Sequence, residues 1–293
     1  MSARHRFGAA IVAAAATATL PRRAFPDSRI HGYQHAMRWR CQARITPVLE
    51  HPVAMCEPFV EETQHYKSLH FDLSEFQSRM SKRKPDKLVL DYTRTMMGFL
   101  MFASQPDRIA MIGLGGGSLA KFCYRELPDA RIDVVEINPQ VVALRDAFLV
   151  PPDGERFHVH LDDGARFIKQ STRRFDVLLV DAYTRHGIPR RLASQEFYDS
   201  CRNALVDNGV MVLNLFCKDS DAHIDRIRHS FSGATFAMYE NDGTNRVVFA
   251  CAGDAFQHPA LAPLDAPANL TPEARSLLKP AFLRVASAMR AQS

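Results

Sequence analysis

The stretch Ile109-Ala-Met-Ile-Gly113-Leu-Gly-Gly-Gly117-Ser118, followed by Asp133-Val-Val-Glu136-Ile137, decides the fold. An apolar run, a glycine-rich turn and a second apolar run ending in an acid describe a nucleotide-binding β-α-β unit. Glycine lets the backbone approach a ligand that any Cβ would hold away. An acid at the tip of the next strand can accept hydrogen bonds from two ribose hydroxyls.

Outward from that unit the pattern keeps alternating. Phe157–Leu161 reads as a strand ending at Asp162-Asp163-Gly164, with a helix after it. Phe175–Val180 reads as a strand ending at Asp181. A helix over about Ser194–Val206 precedes a turn at Asn208-Gly209 and a strand over Val210–Leu215. Another helix spans about 222–231. Strands over Ala234–Tyr239 and Arg246–Cys251 follow, joined by a tight connection that suits an antiparallel hairpin at a sheet edge. Helices are also expected over Leu88–Ala103, Ser118–Glu126 and Pro139–Phe148. Such alternation predicts an α/β fold: a doubly wound, mostly parallel, seven-stranded sheet with one reversed strand.

Four domains are expected: a basic, disordered leader over 1–44, a small N-terminal β-region over 45–87, a nucleotide-binding catalytic domain over 88–255, and a C-terminal helical tail over 256–293. The leader carries eight arginines against the single acid Asp27. The remaining residues hold 29 basic and 31 acidic side chains, so the net charge of +5 belongs to the leader. The body therefore offers no charge signature for nucleic acid. The alanine run Ala13–Ala16, within a short apolar stretch after Arg4-His-Arg6, imitates an export signal, but it is too short for a membrane span. Arg22-Arg23 stand where a cleavage site wants small residues, so a disordered extension or an over-called start is the favoured reading. Six scattered cysteines without C-x-x-C spacing read as small buried hydrophobes and point to a cytoplasmic setting.

In a parallel sheet, ligands bind outside the carboxyl ends of the strands. Four such ends are marked here: Gly113, Gly115 and Gly117; Glu136; Asp163 with Gly164; and Asp181. One carboxylate alone would read as a helix N-cap, most of all Asp163. Four along one edge read as one ligand site. The G-x-G-x-G spacing, with Ser118 where a dinucleotide fingerprint wants glycine, favours an adenosyl sulfonium over a pyrophosphate. Glu136 would take the ribose hydroxyls and Asp163 the adenine amino group. His158 and His160 alternate on one strand, but no third ligand accompanies them, so no metal is expected. Arg190-Arg191 reads as a solvated loop.

These motifs resemble the polyamine aminopropyltransferases, the spermidine synthase family. The resemblance rests on Gly113–Ser118, Val135-Glu136-Ile137, Leu161–Gly164, Phe175–Asp181, Gly187–Leu192, Glu196–Tyr198 and Ala204–Val210. Upstream, Leu69–Asp72 with Gln77 is similar to the family's strand motif ending in a ligand-binding glutamine, and Tyr92 stands at its gate tyrosine. The resemblance implies that Gln77, the glycines, Glu136, Asp163 and Gly164 bind decarboxylated S-adenosylmethionine, with S-adenosylmethionine itself the alternative. It implies Asp181 as the catalytic base, Tyr92 and Tyr183 as binders of a small-molecule amine, and a homodimer with neither nucleic acid nor membrane as partner. Three departures stand out: Gly116 and Thr184 replace aspartates of the family, and only Asp91 precedes Tyr92. They keep open a methyltransferase on the same scaffold, and a non-catalytic nucleoside-binding homologue.

Overall fold

The computed structural model describes residues 57–71, 76–171, 175–184, 187–240, 243, 245–254, 256 and 267–292. The leader and the first part of the expected β-region, 45–56, lie outside them, Cys41 and Cys56 included. By contacts the chain divides at Glu50/His51, and everything below concerns the second unit.

Three short strands come first: β1 (Phe59–Glu62), β2 (Tyr66–His70) and β3 (Phe76–Ser81), paired antiparallel in that order. Seven more strands form the main sheet: β4 (Arg108–Ile112), β5 (Arg131–Glu136), β6 (Phe157–Leu161), β7 (Phe175–Val180), β8 (Leu205–Leu215), β9 (Thr235–Tyr239) and β10 (Arg246–Cys251). Their spatial order is β6-β5-β4-β7-β8-β10-β9, and all pairings are parallel except the two that β10 makes. The expected single reversed strand is therefore β10.

The central strands are apolar on both faces because both are covered. Met111, Val134, Val177 and Val212 pack with Leu119, Phe122 and Phe282 on one side. Ile112, Val135, Leu178 and Leu213 pack with Phe197, Tyr198 and Ile224 on the other. The helices on these faces are α1 (Asp91–Met96), α2 (Ser118–Glu126), α3 (Pro139–Ala143), α4 (Gly164–Gln170), α5 (Gln195–Ala204), α6 (Ser220–Ser230) and α7 (Pro272–Ala291).

Three sequence expectations need correction. The helix over Leu88–Ala103 starts only at Asp91 and tightens into a 3₁₀ helix over Met97–Met101. Close packing explains the tight turn: a Cβ on Gly98 would lie 3.0 Å from both Phe249 and Val285. The helix over Pro139–Phe148 stops at Ala143 and continues as turns to Leu149, whose φ is +55°. Asn208-Gly209 is not a turn before β8. Asn208, at φ +62°, sits inside that strand, where the register against β7 shifts. A left-handed asparagine here makes a kink in the ladder rather than a chain reversal.

Helix starts follow capping chemistry. Asn138, Asp163, Ser194 and Thr271 each accept a backbone N–H of the helix they begin, two of them with proline next in sequence. β4 neighbours β5 on one side and β7 on the other, so the strand order reverses beside it. In open α/β sheets, ligands sit outside the carboxyl edge at such a switch point.

Candidate active site

The glycine loop follows β4 directly. Gly113, Gly115 and Gly117 all have positive φ, +98°, +51° and +67°. Gly113 donates its N–H to the carbonyl of Val135, and Asp181 donates its own to Ile112. The loop is thus wedged between the ends of β5 and β7. Glu136 and Asp181 stand two strand spacings apart, roughly 10 Å across the sheet.

Glu136 is buried, and its carboxylate accepts backbone N–H bonds from Leu114 at 2.9 Å and Asn138 at 2.9 Å. It therefore fixes the glycine loop to the start of α3. Burial pushes its pKa up, and those amides oppose the rise. The Ile137 and Gly115 amides bear on it as well, so backbone N–H groups surround it. Beyond it, Ile137 and Leu161 are 51% and 57% exposed at the tips of adjacent strands. They offer an apolar wall where a flat base can lie.

Asp181 is half-buried. Tyr92 donates its hydroxyl to one carboxylate oxygen at 3.1 Å, and the Asn214 amide donates to the other at 3.0 Å. Burial raises the Asp181 pKa above the usual carboxylate value, while the Asn214 and Tyr92 hydrogen bonds oppose the rise. The same burial, with the carboxylate charge beside it, lifts the Tyr92 phenol well above its ordinary range, so it remains a donor.

The two tyrosines and Asp181 are brought together as expected, although the Tyr183 hydroxyl is turned onto β8. It donates to the Asn214 carbonyl and accepts the Phe216 N–H at 2.6 Å. Gln77 occupies the irregular position of β3, opposite the register shift at Leu69/His70. Its neighbour Ser78 lies against the loop, 3.4 Å from the Ser118 hydroxyl.

Asp163 and Gly164 open α4. Asp163 caps α4 through the Arg166 N–H at 3.0 Å, and its other oxygen pairs with Arg191 at 2.9 Å. Gly164 is needed for packing: a Cβ there would lie 2.4 Å from Ile112. Arg191, read as solvated, is 71% exposed and reaches Asp163 at the surface. Two of the departures also acquire reasons. At Gly116 a Cβ would meet the Ser78 hydroxyl at 2.7 Å and Phe148 at 3.0 Å, so the aspartate's space is filled. The Thr184 hydroxyl donates to the Gly187 carbonyl at 3.1 Å across a tight turn.

Sequence reasoning missed Asn214 and Asn245. Asn214 is the polar residue near the carboxyl end of an apolar strand run, Val210–Leu215, and that break was the available signal. Asn245 sits in a connection whose composition announces only a turn. His158 and His160 lie on the edge strand β6, with His160 bonded to Asp133 at 2.8 Å. Among the described residues no group of three metal-ligating side chains converges. No helix among them is long and apolar enough to cross a membrane.

Comparison with known proteins bears on family and fold. The family described as spermine/spermidine synthase domain matches residues 89–229. A polyamine aminopropyltransferase of Neisseria meningitidis is 38% identical over 195 residues, covering 65% of this chain and 74% of that protein. Among solved structures, a Corynebacterium glutamicum protein described as a probable spermidine synthase superposes with a TM-score of 0.59 at 18% identity, covering 66% of this chain and 76% of its own. Human methyltransferase-like protein 13, solved in complex with SAH, gives 0.52 at 22% identity, covering 69% and 92%. The two structures share the fold.

Proposed function

The chain belongs to the spermine/spermidine synthase family of polyamine aminopropyltransferases, and on that premise we propose that it moves an aminopropyl group from decarboxylated S-adenosylmethionine to a small-molecule amine. The observation that carries the reading is the doubly bonded carboxylate of Asp181 beside the glycine loop. Glu136 takes the ribose hydroxyls, Ile137 and Leu161 flank the adenine, and Asp163 accepts from its amino group. The sulfonium arm runs along Gly113–Gly117 beneath β3, where Gln77 reaches it.

An alkyl ammonium holds its proton up to a pKa near 10.4, so its nucleophilic form is scarce at neutral pH. Asp181 orients the ammonium and accepts its proton as nitrogen attacks the carbon next to sulfur. The C–S bond breaks, its electron pair stays on sulfur, and a neutral thioether leaves. This displacement needs no covalent intermediate, so alignment of nitrogen, carbon and sulfur supplies much of the acceleration. Tyr92 and Asn214 hold the base in one orientation throughout.

A methyltransferase on this scaffold is the second reading, favoured by one observation: Ser78 and Phe148 occupy the space of an acid at position 116. Titration calorimetry with each donor tests the proposal. Binding of the decarboxylated donor supports it, and binding of neither donor ends both readings.

A further inference from the structure

We propose that Asn245, carried between β9 and β10, is a positioning residue: it dictates which end of the Asn214 carboxamide faces Asp181. Its side-chain amide donates to the Asn214 Oδ1 at 2.8 Å, and Asn214 in turn donates through Nδ2 to Asp181 at 3.0 Å. A primary amide has one accepting and one donating end. With its oxygen occupied by Asn245, Asn214 can offer Asp181 only N–H. Turned the other way, it would set oxygen against carboxylate oxygen, an arrangement that a bound proton on Asp181 alone relieves. The inference rests on the reading of Asp181 as the base.

The support extends outward in named steps. The N–H of Glu240 donates to the Asn245 carbonyl at 2.8 Å, holding the ends of the hairpin connection together. The Glu240 carboxylate accepts from Arg284 on α7 at 2.9 Å, and the same guanidinium donates to Thr95 on α1 at 2.7 Å. Tyr92, the other donor to Asp181, stands one turn earlier on α1. One arginine therefore braces α1, which carries Tyr92, and the hairpin connection, which carries Asn245. Tyr183 clamps the Asn214 main chain, so its side chain has the amide rotation as its remaining freedom.

Glu136, the other carboxylate among the described residues whose pKa burial raises, stands two strand spacings away, so the titration is read at the assigned Asp181 carboxyl. Tyr92 and Tyr183 both ionise well above their ordinary range, and burial raises the Cys217 thiol beyond Tyr183. On the hairpin side, Glu240 is paired with Arg284, and Arg246 with Asp221.

The test uses the full chain carrying Asn245→Ala, and separately the isosteric Asn245→Asp, whose carboxylate can only accept. Carbon-13 NMR of the Asp181 carboxyl, assigned with Asp181→Asn, follows protonation without any donor present. Asn245→Ala should move the Asp181 midpoint up by about half a pH unit. Asn245→Asp should move it by about one unit or more, a tenfold smaller ionised fraction below the midpoint. The acid limb of kcat should move with it, while the donor KM stays within about twofold. An Asp181 midpoint unchanged in both folded variants overturns the inference. Because the midpoint is read without turnover, failure of the wild type to consume either donor would sink the functional reading separately.

Discussion

A Cβ placed on Gly113 would stand 2.1 Å from the carbonyl oxygen of Asp181. The first glycine of the loop and the proposed base are therefore packed backbone to backbone, and neither can move alone. Position 113 also needs φ of +98°, which L side chains rarely adopt. Gly113→Ala should cost about 1–3 kcal/mol in backbone strain alone, with the clash added to it. Thermal unfolding should show a large loss of stability, and any folded fraction should lack donor binding in calorimetry. A variant with unchanged melting and affinity would show that the two segments are not locked.

Restoring an acid to the glycine loop tests why it is absent. Gly116→Asp meets the Ser78 hydroxyl and Phe148 at contact distances no real Cβ tolerates comfortably. Overpacking of this kind costs about 1–3 kcal/mol. Urea unfolding should show that loss, and Ser78→Gly in the same chain should recover part of it. A pair of substitutions whose effects simply add would mean that Ser78 does not fill the space.

Asp181 sets the expected pH dependence. Its pKa is raised in the folded chain, so its contribution to stability is fully present below the unfolded pKa and is lost as pH rises through the folded one. Catalysis runs the other way, because the base works only when ionised, so activity should fall as pH drops through that same raised value. Tyr92→Phe removes one opposing hydrogen bond and should shift the acid limb of kcat upward, with kcat down about tenfold at neutral pH. A limb that stays in place after Tyr92→Phe would detach this tyrosine from the base.

Asp163 has two roles to separate, the cap of α4 and the proposed adenine contact. Asn is as good a cap as Asp, whereas Ala loses about 1 kcal/mol. Asp163→Asn should therefore melt like the parent but raise the donor KM about tenfold, since the atom released from Arg191 becomes a donor. Asp163→Ala should lose stability as well. Equal donor KM in all three chains would leave Asp163 with capping alone.

Much of this was legible beforehand because period and punctuation agreed. The buried run at Ile109–Ile112, the glycines after it and the acids closing β5 and β7 each point to the same sheet edge. Element ends were harder, since tertiary contacts override local preference. Gly98 pressed between Phe249 and Val285 accompanies a 3₁₀ turn inside an apolar stretch that reads simply as helix. The polar support of the site was the least visible part. Asn245 and Arg284 lie far along the chain from Asp181, and only the pairing of β8 with β10 brings Asn245 to Asn214. At Asp163 the capping role that the sequence already offered is visible in the structure.

The central claim is that the Asp181 carboxylate takes a proton from an amine as that amine receives an aminopropyl group. Incubating the purified chain with decarboxylated S-adenosylmethionine, S-adenosylmethionine and a panel of amines, and weighing the products by mass spectrometry, tests it most directly. The account predicts an amine heavier by one aminopropyl group from the decarboxylated donor, with the rate down at least about a hundredfold in Asp181→Asn. A methylated product, or an aminopropylated one formed equally fast by Asp181→Asn, would contradict it.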